Sequence, residues 1–163
     1  MKEPIVRGEK PRVYLIDVTN RDGVQTANIG LSKLQKTMVN YYLDKMGIFQ
    51  SEFGFPALEH ETNYINANLD LEKKSFFKNI RLEGWVRATV EDVHKALKLT
   101  KVEHLNLSIS TSLIMTIGKF GNKFSREDVL VMMTEAVDAA RQAGVKTIGV
   151  NAEDASRTAA ERE

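Results

Sequence analysis

The chain has 163 residues, 42% of them hydrophobic and 28% charged, an ordinary composition for one globular domain. Its 23 basic and 22 acidic side chains nearly cancel, which leaves no global field to hold nucleic acid or an anionic membrane surface. Cysteine is absent, so disulfides, thiolate metal sites and cysteine nucleophiles are excluded.

The start, "MKEPIVRGEKPR", is charged and lacks the apolar core of a signal peptide. No apolar run approaches the roughly 20 residues that span a bilayer, and a cytoplasmic protein is the expectation. The run Val13 to Ile16 then reads as a buried β-strand, yet "IDVTNRDGVQ" crowds Asp17, Arg21 and Asp22 at its end. Charges there need a purpose, because burial is expensive unless they are paired or bound to an ion. After Gly30, Leu34, Met38, Tyr41, Tyr42 and Met46 fall at helical spacing, with Ser32 and Gln35 as a capping box and Gly47 as a stop.

"IFQSEFGFP" is the second strand, closed by Pro56, and a polar helical stretch runs through "ETNYINANLDLEKK". "IRLEGWVRA" is the third strand, after which Thr89 caps "VEDVHKALKL" with Asp92 in its first turn; "VEHLNLSIST" is the fourth. "SLIMTIGKFGNKF" reads as a long glycine-bearing loop, and Ser125 starts the amphipathic helix "REDVLVMMTEAVDAARQAG", in which Met132 and Met133 face the core. "VKTIGVNAED" is the fifth strand, and "ASRTAAERE" begins another helix. Strand alternating with helix and no hairpin signal predicts parallel strands joined by right-handed crossovers.

The strands are not the continuous apolar runs expected when both faces are covered by helices. Alternation puts Arg81, Glu83, Trp85 and Arg87 on one side of the third strand, and Asn106, Ser108 and Ser110 on one side of the fourth. The fifth strand offers Asn151 and Glu153, and the second Gln50 and Glu52. Polar groups converging at the carboxyl ends of successive parallel strands are the layout of a (β/α)8, or TIM, barrel with its site at the top. Taken singly, each feature has a plainer account: an Asp–Arg pair after a strand makes a salt bridge, Glu83 and Arg87 an internal ion pair, Trp85 a packing group. His60, His94 and His104 share no metal-ligand spacing and read as surface or core residues. The recurrence over five strands is what the plain account leaves unexplained.

"DVTNRDGVQ" resembles the first-strand signature of the metal-dependent, Claisen-type acyltransferases of the DRE-TIM metallolyase type, which include isopropylmalate, citramalate and homocitrate synthases. Homocitrate synthase and Re-specific citrate synthase are the members it resembles most. "SEFGFP" is similar to the family's second-strand end and "VNAEDASRT" to its fifth-strand segment, in the right order, and "ISTS" and "SREDVL" also fit. The resemblance covers residues 12 to 163. It implies an α/β fold, an incomplete TIM barrel holding the first five strands, with residues 1–163 the N-terminal portion of a catalytic domain. It also implies condensation of acetyl-CoA with a 2-oxo acid, followed by thioester hydrolysis that frees CoA, and a divalent metal ion (Mn, Mg, Zn or Co) on the keto acid.

By the same resemblance, Asp22 is the carboxylate metal ligand and Arg21 the catalytic group facing charge on the keto oxygen. Gln25, Glu52, Ser110 and Thr111 line the substrate pocket, and Glu153 helps to orient groups or relay a proton. Arg87 meets the acceptor's distal carboxylate, which favours a dicarboxylic acid such as oxaloacetate or 2-oxoglutarate.

Two features depart from the pattern. Val18 and Asn20 replace the more usual Thr/Ser and Leu, and no His-x-His pair exists in the chain. A full barrel takes about 250 residues, so the remaining strands are expected from a longer enzyme, a homo-oligomer or a complementing subunit. Other readings of the same residues are a non-catalytic or split-subunit half that needs a partner chain, a related barrel lyase, and a five-stranded doubly wound domain of the flavodoxin type.

Overall fold

The computed structural model describes residues 13–121 and 123–160; the charged start, residues 1–12, lies outside them. Strands β1 (Ile16–Asp17), β2 (Gln50–Gly54), β3 (Arg81–Arg87), β4 (His104–Ser110) and β5 (Thr147–Glu153) form one sheet in the order β1-β2-β3-β4-β5, every neighbouring pair parallel. Helices α1 (Lys33–Lys45), α2 (Thr62–Lys73), α3 (Val90–Leu99), α4 (Leu113–Phe120), α5 (Arg126–Gln142) and α6 (Ala155–Ala160) follow the strands. A doubly wound domain reverses its strand order at a switch point. This sheet keeps strict sequence order, the arrangement of a partial (β/α)8 barrel.

The core lies between the sheet's outer face and the helices. Phe53, Leu82, Val86, Leu105 and Leu107 are fully buried there, packed with Ile65, Val93, Ala96, Ala136 and Ala140. Each CH₂ so buried contributes about 0.8 kcal/mol, and α3 and α5 pack on each other over β3 and β4. Close packing sets the shape near the second strand. A Cβ on Gly84 would stand 2.6 Å from Pro56 Cγ, so the loop after β2 sits against β3 only because that position has no side chain. Alternation puts Glu52 on the inner face while Phe53 packs outward against Tyr64, ring centroids 5.9 Å apart, and the register with β3 shifts between Glu52 and Gly54.

Caps follow the sequence. Ser32 and Gln35 form the capping box of α1, Gly47 takes φ 74° just beyond it, Thr89 caps α3 and Ser125 caps α5. Met132 and Met133 are half-buried against the core, as their spacing predicts.

Three expectations are corrected. The run at Val13 is not a buried strand. β1 spans two residues at the sheet edge, and Val13, Tyr14, Leu15 and Ile16 are all exposed, because β2 covers one side of it and no strand among the described residues covers the other. The segment after β4 is not only a loop: Ser112 accepts from Met115 N–H and starts α4. Third, α1 does not bury its apolar stripe. Leu34 and Met46 are 70% and 72% exposed, with Met38 and Tyr42 also outside, while Lys36, Asn40 and Asp44 face inward with Leu43.

That inward polar face is held by distant partners. Asp44 Oδ1 accepts the backbone N–H groups of Lys78, Asn79 and Ile80 at 2.7, 2.6 and 3.1 Å. Burial alone would push its pKa up; those three donors, with Lys45, hold it below the ordinary aspartate value. Lys36 Nζ pairs with Glu61 at 2.7 Å and lies 4.4 Å from the Tyr64 ring centre. No helix among the described residues is long and apolar enough to cross a membrane.

Candidate active site at the strand carboxyl ends

The turn after β1 is wound on a single carbonyl. Val18 O accepts from the N–H groups of Arg21, Asp22 and Gly23 at 3.2, 2.8 and 3.1 Å, and Asp17 stiffens the approach by accepting from Thr19 N–H and Oγ1. This places Arg21 over the sheet's inner face. Its Nε donates to Glu52 Oε2 at 3.0 Å, its Nη1 to Asp22 Oδ1 at 3.1 Å, and its guanidinium sits 4.6 Å from the Trp85 ring centre. Arg21 is thus fixed by a carboxylate below and an aromatic face beside it. Asp22 stays open, with its side chain 62% exposed against 15% for Arg21.

Beneath this pair the inner face is a column of polar contacts. Glu52 Oε1 accepts from Asn106 Nδ2 and Glu83 Oε2 from Gln50 Nε2. Glu52 and Glu83 stand directly opposite each other in the sheet register. Two buried carboxylates so placed cannot both ionise cheaply. Burial first, then the charge of Glu52, pushes the Glu83 pKa up to about 7, while Glu52 has Arg21 and Asn106 as donors.

A second group gathers at the ends of β4 and β5. Glu153 accepts from Ser110 Oγ at 2.7 Å, Ser108 Oγ at 3.1 Å and Lys119 Nζ at 2.6 Å. Burial alone would raise the Glu153 pKa; Lys119 and the two hydroxyls hold it below the ordinary value. Trp85, Arg87, Ser108, Ser110, Lys119 and Glu153 line a cavity of about 370 Å³. Trp85 joins the two groups, since it also touches Arg21 and meets Phe55 edge-on at 5.0 Å.

The expected site residues divide accordingly. Arg21, Asp22 and Glu52 come together in the first group, and Arg87, Ser110 and Glu153 line one cavity in the second. Arg87 spends Nε and Nη2 on Asp92, at 2.6 and 2.7 Å, in the first turn of α3. Thr111 is turned to the β5–α6 junction, donating to Glu153 O and sharing a hydrogen bond with Thr158. Gln25 ends a 3₁₀ turn, Gly23–Gln25, with its side chain exposed. Trp85, Asn106 and Lys119 are the contacts that motif reading missed. Strand alternation had Trp85 and Asn106 on the correct face; Lys119 was hidden in a segment read as loop.

Asp22 offers one hard oxygen for a cation, and among the described residues no group of three or more His, Asp or Glu could hold a metal ion. A catalytic metal needs several protein ligands, so the described residues do not form a complete metal centre.

The sequence pattern of the HMGL-like family matches residues 12–162. The chain belongs to the HMGL-like family. Among curated relatives, this HMGL-like chain is 59% identical over 148 residues to the citrate (Re)-synthase of Dehalococcoides mccartyi, covering 90% of the chain and 36% of that protein. It is 41% identical over 153 residues to 2-isopropylmalate synthase 2 of Caldanaerobacter subterraneus (92% and 37% covered). To the homocitrate synthase AksA of Methanocaldococcus jannaschii it is 35% identical over 149 residues (90% and 34% covered). The chain therefore spans about a third of the length of these relatives. Among solved structures, the HMG-CoA lyase of Bacillus subtilis superposes with a TM-score of 0.59 at 18% identity, over 86% of this chain and 47% of that one, a likeness of fold.

Proposed function

We propose that this HMGL-like chain forms the first five strands of a condensing synthase that joins the acetyl group of acetyl-CoA to a 2-oxo acid. The observation that carries the reading is the Arg21 guanidinium, fixed by Glu52 and Trp85 at the mouth of the sheet beside an open Asp22. A guanidinium has five N–H donors, and two are recorded in use here. The remainder suit the oxygen that gains negative charge when the methyl carbon, having lost a proton, bonds to the keto carbon. Water then cleaves the thioester and CoA leaves.

The finer reading is a dicarboxylic acceptor such as oxaloacetate or 2-oxoglutarate, giving a citrate- or homocitrate-type product. It is supported by the 59% identity to a citrate (Re)-synthase and by the cationic Arg87 and Lys119 lining the cavity next to Trp85. Among the described residues Asp22 is the cation ligand; the others, with the remaining strands, belong to further polypeptide. The edges of β1 and β5, which no other strand among the described residues covers, and the exposed Val13, Leu15, Leu130 and Val150 support that division.

The test is release of free thiol from acetyl-CoA by the complete enzyme, with and without each 2-oxo acid. Arg21→Ala is expected to cut turnover roughly 100- to 1,000-fold. Parental turnover in that variant overturns the proposal.

A further inference from the structure

β1 is a poor support for the turn it carries. It has two residues, lies at the sheet edge, and is preceded by exposed side chains. The N–H groups of Arg21, Asp22 and Gly23 all share one carbonyl, that of Val18, which cannot be strong for all three donors. Arg21 nevertheless has to be held in one place for Glu52 and Trp85 to bracket it.

Asn20 supplies the missing fixture. Its side chain is fully buried, and its Nδ2 donates to Lys36 O and to Asn40 Oδ1, both at 2.8 Å. Asn40 Nδ2 donates in turn to Tyr64 Oη at 3.0 Å and to Asn68 Oδ1 at 3.1 Å, and Asn68 Nδ2 donates to Thr37 Oγ1 and Tyr64 O. Ser51 of β2 adds a hydrogen bond to Asn40 Oδ1. Asn20, Asn40 and Asn68 are all 0% exposed. A buried amide is costly where an apolar side chain is not, and Asn20 Oδ1 even lacks a partner. What the amide gains in exchange is a directional link from the turn into two helices.

We infer that Asn20 is a positioning residue for Arg21: its buried amide ties the Arg21–Asp22 turn to α1 through Asn40, and through Asn68 and Tyr64 to α2. This rests on the proposed role of Arg21 for its catalytic consequence, though not for the anchoring itself. Linked buried hydrogen bonds support one another, so cutting the chain at Asn68 loosens the turn in the same direction as cutting it at Asn20, but less, because Asn20 keeps its bond to Lys36 O.

The experiment compares Asn20→Ala, Asn68→Ala and the double variant in the complete enzyme. Asn20→Ala is expected to lower kcat roughly 10- to 100-fold with KM for acetyl-CoA within about twofold of the parent, and Asn68→Ala to lower kcat less. The double variant is expected to match Asn20→Ala, because once Asn20 is gone the network no longer reaches the turn. Hydrogen exchange is expected to show lost amide protection at residues 18–24 in Asn20→Ala while β3 and β4 keep theirs. A kcat within twofold of the parent, losses that multiply in the double variant, or unchanged protection at 18–24 each overturn the inference. Should Asn20→Ala not fold, Asn68→Ala decides alone, by whether protection at 18–24 falls with kcat. A parent enzyme that releases no CoA in response to any 2-oxo acid defeats the functional proposal, while exchange at 18–24 still decides the anchoring.

Discussion

The two flanks of the sheet are held on by different chemistry. Over β4, α3 and α5 bury Val93, Ala96, Val129, Ala136 and Ala140 against Leu105 and Leu107, an apolar seam in which nearly any well-packed arrangement of similar volume would hold. Over β2, α1 instead buries Lys36, Asn40 and Asp44, and each reaches a particular partner: Glu61, the Asn20–Asn68–Tyr64 group, and the start of β3. Apolar burial is non-directional, whereas hydrogen bonds demand distance and angle. The flank that carries the Arg21 turn is therefore the one whose geometry is specified most narrowly, and the other flank supplies bulk stability.

Three substitutions break or sharpen that contrast. The largest effect is expected from Asp44→Ala, which removes a fully buried carboxylate and leaves the N–H groups of Lys78, Asn79 and Ile80 without their acceptor; a loss of about 4 kcal/mol in urea unfolding is expected. Because those donors lead into β3, the loss should appear in hydrogen exchange as opening on both sides of the α1–β3 junction. A loss below about 1 kcal/mol would mean that the polar flank is ornamental. Next comes Leu107→Ala on the apolar flank, expected to cost about 3 kcal/mol through lost transfer energy and the cavity left behind. Here amide protection at 18–24 should be unchanged relative to β2, and selective loosening of that turn would erase the distinction between the flanks.

The effect of Glu83→Gln depends on pH and vanishes in acid. In the folded chain the Glu83 pKa is about 7 against an ordinary 4.5. Below pH 4.5 the acid is neutral in both states and costs nothing. Between 4.5 and 7 the unfolded chain ionises first and stability falls; above 7 the whole difference has been lost. Glutamine does not titrate, so the variant is expected to exceed the parent by up to about 3 kcal/mol at pH 8 and to match it at pH 4. Parallel stability curves across that range would show that Glu83 ionises freely in the fold.

Much of this was legible in the sequence. Alternation separated the inner and outer faces of β2 to β5, caps at Ser32, Thr89 and Ser125 marked helix starts, and "DVTNRDGVQ" pointed to Arg21 and Asp22. The orientation of α1 was not legible. Leu34, Met38, Tyr42 and Met46 recur with the same helical period as Lys36, Asn40 and Asp44, and only partners 16 to 36 residues away decide which stripe turns inward. The departure at Asn20 carries no meaning in the sequence, because its receiver, Asn40, lies 20 residues away. α4 escaped notice because two glycines within and after it imitate a loop. The pairing of Arg87 is not legible for a related reason: spacing places Asp92 in the first turn of α3, and nothing in it says that this carboxylate takes both prongs of an arginine.

The concave wall of the sheet has a thermal consequence. Gln50, Glu52, Glu83, Asn106, Ser108 and Ser110 occupy positions that a purely structural barrel would fill with branched aliphatic residues. Hydrating apolar surface on unfolding raises the heat capacity, and hydrating polar surface lowers it. Melting this wall thus subtracts from the increment that the outer seam adds, which flattens the curve of stability against temperature and keeps the site's supports nearly as firm in the cold as in the warm.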